Sequence, residues 1–257
     1  MKNNQKNVIA FSLALLTYGA ILALFIYLYP GKNNFDLSRL SDSTGLIIDG
    51  FILTIIISII SLILSIVIGF VLYLAMKSKS RYIRFLAEIY NEVIFGIPLV
   101  VFLTFMYFFI FAPFRNVFEF GGNIEPIIVG IIAISIYMGP YMKNAFEGAI
   151  KTIDENQYQA MKVFGFTTYQ RYRYIILPQI VKVIIPPLIG NFSYVIKSST
   201  LLHVMLVNEL YAEIKRASLS NLAIMEGYVL MFFLYLIITV PLLRLARGFD
   251  RRYGIWD

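Results

Sequence analysis

Long apolar runs alternate along the chain with short polar or basic interruptions. Six runs reach the roughly 20 apolar residues that a membrane-spanning helix needs: 8–29, 46–76, 85–112, 126–150, 181–207 and 222–246. The second is too long for an upright span, so its helix tilts or begins in the interface. The first follows Lys2 and Lys6, is longer than a signal-peptide core and is followed by no small-x-small pattern. It reads as a retained span. The pattern predicts an all-α membrane protein of about six transmembrane helices, divided into a first helix and external loop over 1–45 and a core over 46–257.

The interruptions differ in charge. With six spans, 15 Lys and Arg fall on the side of both termini and 5 on the other, while Lys143 and Lys197 lie within spans. Basic residues mark cytoplasmic loops, so the expected orientation has both termini in the cytoplasm. Among the opposite loops, 31–44 suits a short amphipathic turn, 114–125 holds a Gly-Gly turn signal, and 208–221 suits a short helix.

Composition agrees. The chain is 59% hydrophobic, with mean hydropathy +0.76 and 14% charged residues, against about a quarter in soluble domains. The net charge of +7 would suggest nucleic acid in a soluble protein; here it belongs to the cytoplasmic loops and a lipid bilayer is the partner, with no nucleic acid implied. Without cysteine and with one histidine, His203, the chain offers no thiolate nucleophile and no histidine-rich metal site.

One polar stretch stands out in the second half, 154–188. Asp154 and Gln157 have capping-box spacing, Gly165 sits where a left-handed helix end is wanted, and Thr167 with Gln170 repeats the box. Two short helices at a fixed glycine corner follow, the second ending near Leu177-Pro178 because the residue before proline avoids helical geometry. Arg171, Arg173 and Tyr174 suit a membrane surface. Alternatively, Tyr158, Met161 and Phe164 form a plug for a soluble partner's groove.

Within the spans, polar groups are functional candidates by default. Pro186-Pro187 is expected to break the fifth span beside a cavity lined by Asn191, Ser193, Lys197, Ser198 and Ser199. Lys197 either meets a substrate carboxylate or pairs with Glu209, Glu92 or a partner subunit. Asn91 and Glu92 precede a second break at Gly96-Ile97-Pro98, and Tyr107 is a further candidate for the path. Glu226 is expected to pair structurally, with Lys215 as one partner, and His203 to act in packing.

The run Q-A-M-K-V-F-G-F-T-T-Y-Q-R-Y-R-Y-I-I-L-P resembles the E-A-A-x-x-x-G…I-x-L-P loop of bacterial ABC-importer permeases. I-P-P-L-I-G-N-F-S-Y-V-I-K-S-S-T-L and F-G-I-P-L-V resemble stretches of the subfamily that imports polar amino acids of the histidine, glutamine and arginine type. The match covers about 46–252. This resemblance implies a type I importer permease in the bacterial cytoplasmic (inner) membrane. It also implies a coupling segment at about 154–178 that docks an ABC ATPase dimer through Tyr158, Gln159, Ala160, Met161, Phe164, Gly165, Arg171 and Pro178. A second permease subunit, with a heterodimer favoured, and an extracytoplasmic substrate-binding protein complete the assembly. Asn91, Glu92, Pro98, Tyr107, Asn191, Ser193, Lys197, Ser198 and Ser199 become candidates for the path. No Walker loop is present, so ATP and Mg belong to partner subunits and this chain binds no cofactor. The chain departs from the family at Gln159 (the family's glutamate), Met161 (alanine), Phe95 (arginine) and Ser198 (aspartate), and Asn144 and Glu147 stand at the usual acidic and arginine positions. These changes suit one half of an unequal pair. The alternative is an ion-coupled secondary carrier using Lys197, Glu92 and Glu226. A membrane-embedded enzyme is a further rival that lacks a nucleophile–base pair.

Overall fold

The computed structural model describes 35–114, 124–253 and some residues between 13 and 28. The described residues form helices without strands. Four helical segments among them are long and apolar enough to cross a membrane: Leu37–Met76, Pro126–Lys151, Thr168–Met205 and Ile224–Asp250. A bent pair, Arg81–Gly96 and Leu99–Phe111, makes a fifth if counted as one span. The expected first span and the Gly-Gly turn fall largely or wholly outside the described residues.

The scaffold is α1 (Thr44–Met76) packed on α4 (Ile124–Lys151). α1 has apolar residues on all sides but carries Thr54, Ser58, Ser61, Ser65 and Gly69 on one face, all buried. Small residues let helix backbones approach where lipid gives no hydrophobic drive between helices. Ser135 Oγ bonds Ile131 O at 2.6 Å and Ser61 O at 3.3 Å, and a Cβ at Gly69 would lie 2.8 Å from Gly139 O and Lys143 N. Ser61 thus meets the early part of α4 and Gly69 the later part, so the two helices run parallel.

α2 (Arg81–Gly96) starts on a Ser80 cap and is strongly amphipathic, with Tyr82, Phe85, Leu86, Ile89 and Val93 exposed. It turns by 112° into α3 (Leu99–Phe105), which continues as a π-helical stretch to Phe111. The expected break at Pro98 is therefore real. Ile97 is extended, as a residue before proline prefers, and its carbonyl accepts from Tyr137 OH at 3.0 Å. Tyr90 does the same for Pro140. That proline has no N–H to offer Ile136 O, and the Tyr90 hydroxyl bonds that carbonyl instead.

α5 (Glu155–Val163) and α6 (Thr168–Gln170) flank the Gly165 corner. Two expectations are corrected beyond it. The helix does not end at Pro178, because a π-helical turn over Arg171–Ile176 shifts the ladder, with Leu177 N–H reaching Tyr172 O, and the helix continues as α7 (Leu177–Ser199). Nor do Pro186 and Pro187 break α7, which runs through both. Each proline only withholds the N–H that its position would have donated to the carbonyl four residues back, a loss that a neighbouring polar cavity tolerates.

A 3₁₀ stretch, Thr200–Met205, ends at Leu206 in left-handed conformation (φ 61°). α8 (Leu210–Ser220) then folds back against α1 before α9 (Ile224–Tyr253) returns along α7 toward the end of α4 at Lys151. Among the described residues three apolar clusters result. One lies mid-body around Leu103, Ile134, Met138 and Leu202, and one at the far end around Leu210, Ile214 and Met231. The third joins Met161 of α5 to Ala145 and Ala149 of α4 and Ile180 and Ile184 of α7.

Candidate functional site

The Gly165 corner is built by its local sequence. Thr167 and Gln170 form a reciprocal capping box. Asp154 caps Asn156 N–H, but Gln157 turns away to accept from Gln179 Nε2 at 3.1 Å, so the expected first box is a single cap plus a tie to α7. Gly165 has φ +70°, its N–H bonds Lys162 O, and Phe166 N–H bonds Met161 O, the paired closure of a Schellman motif. Arg171 Nε donates to Phe166 O at 2.8 Å and braces the corner.

These contacts divide the candidate docking residues. Met161 is 3% exposed and packs into the cluster shared with α4 and α7, so it anchors the segment and is not available to a partner's groove. Tyr158 is half-buried on the same cluster. Gln159, Ala160, Gly165 and Pro178 are exposed, as are Val163 and Phe164 at 85% and 77%. Tyr169, Tyr172 and Tyr174 add exposed aromatic surface. Val163, Tyr169 and Tyr172 are exposed residues of this corner that the sequence reading does not single out, because the buried side of the segment is set by its packing on α4 and α7.

A second feature lies between α4 and α7. Tyr137, Tyr141, Asn144 and Gly148 follow one face of α4, and Pro187, Asn191 and Tyr194 follow one face of α7. Tyr141 stacks on Tyr194 at 5.7 Å and on Tyr137 at 6.1 Å, with Phe95 of α2 edge-on at 5.1 Å. On the side of this aromatic ladder toward the end of α4 opens a cavity of about 640 Å³, bordered by Asn144, Gly148, Lys151, Lys182, Pro187 and Asn191 and by Phe249 and Asp250 of α9. Tyr137, Tyr141 and Asn144 mark this face of α4 in the sequence at i, i+4 and i+7, and Asn191 and Tyr194 mark that of α7 at i and i+3; the three tyrosines are not among the expected path residues.

The expected single cavity is therefore not assembled as drawn. Asn191 lines the cavity, whereas Lys197 is exposed toward a separate groove of about 430 Å³ with Thr200, Tyr211 and Tyr228. Ser193, Ser198 and Ser199 are buried, and Ser199 Oγ bonds Ile196 O at 2.8 Å. Asn91 Oδ1 and Ser193 Oγ are buried without a hydrogen-bond partner. Glu92 and Pro98 are exposed, and Tyr107 packs edge-on against Phe108.

The other buried or half-buried charges, within the spans and between them, have structural partners. Lys143, 7% exposed, donates to Asn144 Oδ1 at 2.9 Å and Glu147 Oε2 at 3.2 Å, while Lys151 holds Glu147 Oε1 at 2.9 Å. Glu209 does not pair with a cation. It caps α8, accepting from Tyr211 N–H (3.0 Å), Ala212 N–H (2.9 Å), Tyr235 OH (3.2 Å) and Thr54 Oγ1 (3.4 Å). Burial pushes this carboxyl up to about 7 against the pull of those donors. Glu226 accepts from Asp36 N–H at 2.9 Å, and Lys215 lies over the Tyr211 ring instead. His203 bonds Thr200 O through Nδ1 and packs on Tyr211, as expected of a packing residue.

Residues 66–255 match the family model described as binding-protein-dependent transport system inner membrane component. The chain is 30% identical over 207 residues to the probable glutamine ABC transporter permease protein of Bacillus subtilis, covering 80% of this chain and 93% of that one. It is 29% identical over 221 residues to the glutamine transport system permease protein of Escherichia coli, covering 86% and 99%. Among solved structures, a chain of an amino acid ABC transporter crystallised with histidines matches with a TM-score of 0.73 and 27% identity over 84% of this chain and 98% of that chain. A methionine ABC transporter chain shares the fold at a TM-score of 0.60 and 16% identity. The match to the family model and to full-length relatives identifies the chain as a member of the binding-protein-dependent transport system inner membrane components, the permease subunits of ABC importers.

Proposed function

We propose that this permease forms half of the path for an amino acid or similar small polar solute, and that the cleft between α4 and α7 is its contribution. The observation that carries the reading is mechanical continuity. The exposed corner at Val163, Phe164 and Gly165 is fastened through buried Met161 to the α4 and α7 turns that border the cavity. Force applied to the corner reaches the path through packed side chains, which deform between discrete arrangements rather than continuously. An ABC ATPase dimer docks there and supplies ATP and Mg chemistry. An extracytoplasmic binding protein delivers solute at the opposite end, in an alternating-access cycle. The relatives named for glutamine transport support the solute class.

The orientation in this reading is N-in and C-in with six spans, the first formed by 8–29. The basic ends of α1, α4 and α9 lie on the coupling side, as the charge rule requires of a cytoplasmic face. Exposed Phe95, Tyr194 and Lys197 suit contact with a second, non-identical permease subunit.

Reconstitution into vesicles with the ATPase and a binding protein tests the function. Uptake of L-glutamine is expected to require ATP and to survive collapse of ion gradients by ionophores. Uptake that continues without ATP and stops with the ionophore would return the chain to the ion-coupled carrier.

A further inference from the structure

The turn between α1 and α2 gathers cations that the protein does not pair. Lys77 follows α1, Lys79 lies in the turn and Arg81 opens α2. All three are exposed, and none has a carboxylate partner among the described residues. Arg84, one turn on, reaches Glu88 at 3.8 Å. By contrast, Lys151 is held by Glu147, and Arg171 Nε by the Phe166 carbonyl. Beside the cations a groove of about 390 Å³ runs between the last turns of α1 and the first turns of α2. Ala75 and Ile83, nearest the turn, are each two residues from a cation, and Ile68, Val71, Leu86 and Tyr90 carry the lining inward. No charged side chain lines this groove. Its one hydroxyl, on Tyr90, is committed to Ile136 O, which also fixes the groove to α4. Val71 and Leu86 on its rim stay 58% and 50% exposed.

We propose that this corner binds an anionic phospholipid, with one acyl chain in the α1–α2 groove and the headgroup phosphate held by Lys79 and Arg81, Lys77 adding to the field. An apolar groove that ends in unpaired cations has the two-part chemistry of such a lipid. Basic clusters beside a span draw anionic headgroups, and buried acyl length adds to the binding. The stems of Lys79 and Arg81 lie along apolar surface while their charged ends reach the phosphate. A zwitterionic lipid fills the same groove, but its own cation cancels the attraction, so charge selects the occupant. A free phosphate ion meets the cations and leaves the groove empty. The site lies outside the α4–α7 cleft and does not depend on which solute is carried.

The test uses the purified complex of this chain with its ATPase, stripped of lipid in detergent. It is titrated with phosphatidylglycerol and with phosphatidylcholine of the same acyl chains, and bound lipid is counted by native mass spectrometry. The unaltered complex is expected to hold phosphatidylglycerol about tenfold more tightly. Lys79→Gln/Arg81→Gln is expected to remove that preference and leave phosphatidylcholine within about twofold. Arg39→Gln/Lys215→Gln removes the same charge at the other end of α1 and on α8, and is expected to keep the preference. Ala75→Phe fills the groove and is expected to weaken both lipids several-fold at an unchanged melting temperature. Equal affinity for the two lipids in the unaltered complex overturns the proposal, as does equal weakening by the two double variants. So does release of phosphatidylglycerol by excess inorganic phosphate, or unchanged lipid binding in a folded Ala75→Phe. Should Ala75→Phe fail to fold, Lys79→Gln/Arg81→Gln, at two exposed positions, decides alone.

Discussion

Replacing Glu209 by glutamine removes a buried charge while keeping an acceptor for the helix cap. Glu209 lies between the spans, is fully buried, and joins α1 through Thr54, α8 through its own cap and α9 through Tyr235. Its carboxyl is held at about 7 rather than 4.5 because burial outweighs four hydrogen bonds. A raised folded-state value means the native protein binds the proton more tightly than the unfolded chain. The stabilisation is therefore complete below about pH 4.5, falls as pH rises, and is lost above about 7. The free energy in that window is roughly 3 kcal/mol, at about 1.4 kcal/mol per pH unit. Neighbouring Glu213, paired with Arg216 and facing Asp49, is raised by burial in the same direction and remains in the variant. Thermal unfolding in detergent, followed from pH 4.5 to 8.5, is the assay. The unaltered protein is expected to lose several degrees of melting temperature toward pH 8, and Glu209→Gln to lose clearly less and to melt higher at pH 8. Parallel curves for the two proteins would refute the reasoning.

Met161 and Phe164 are expected to separate stability from docking. Met161→Ala should destabilise by about 2–4 kcal/mol as a buried truncation, whereas Phe164→Ala should leave the melting temperature within a degree or so and weaken ATPase binding, read by thermal unfolding and by pull-down. Gly69→Leu should prevent α1 from seating on α4, since even a Cβ there meets Met142 and Gly139; loss of a monodisperse peak in size-exclusion chromatography checks it. Tyr90→Phe should cost about 1–3 kcal/mol by leaving the Ile136 carbonyl freed by Pro140 without a donor, again seen in melting.

Apolar run length was enough to read a helical membrane body, because lipid forces backbone groups into helices. The Gly165 corner and the Thr167–Gln170 box were equally legible, since capping is local chemistry. Proline misled the reading at Pro178, Pro186 and Pro187. Whether a proline breaks a helix depends on whether a π-turn or a polar cavity accommodates the freed carbonyl, and that is a tertiary fact. At Pro98 the same residue type does make a sharp bend, with Tyr137 from another helix satisfying the turn. The candidate path was legible in part. Asn191 fell in the cavity, but Lys197 did not, because a helix face cannot be assigned without knowing which neighbours pack on it. The Tyr137–Tyr141–Tyr194 ladder required α4 and α7 to be placed side by side. Met161 looked like a docking residue because a methionine in a polar segment carries no sign of which side is buried.

In the proposed mechanism the ATPase engages the 154–178 corner, and movement there reaches the α4–α7 cleft. The chain contains no cysteine, so a single introduced thiol reports its own position without ambiguity. Phe164→Cys, 77% exposed at the corner in the parent, should cross-link to a thiol in the groove of the ATPase and lock uptake until reduced. Leu219→Cys, at the opposite end on α8, should not cross-link. Equal cross-linking at both positions, or none at Phe164→Cys in a complex that still transports with ATP, would contradict the account.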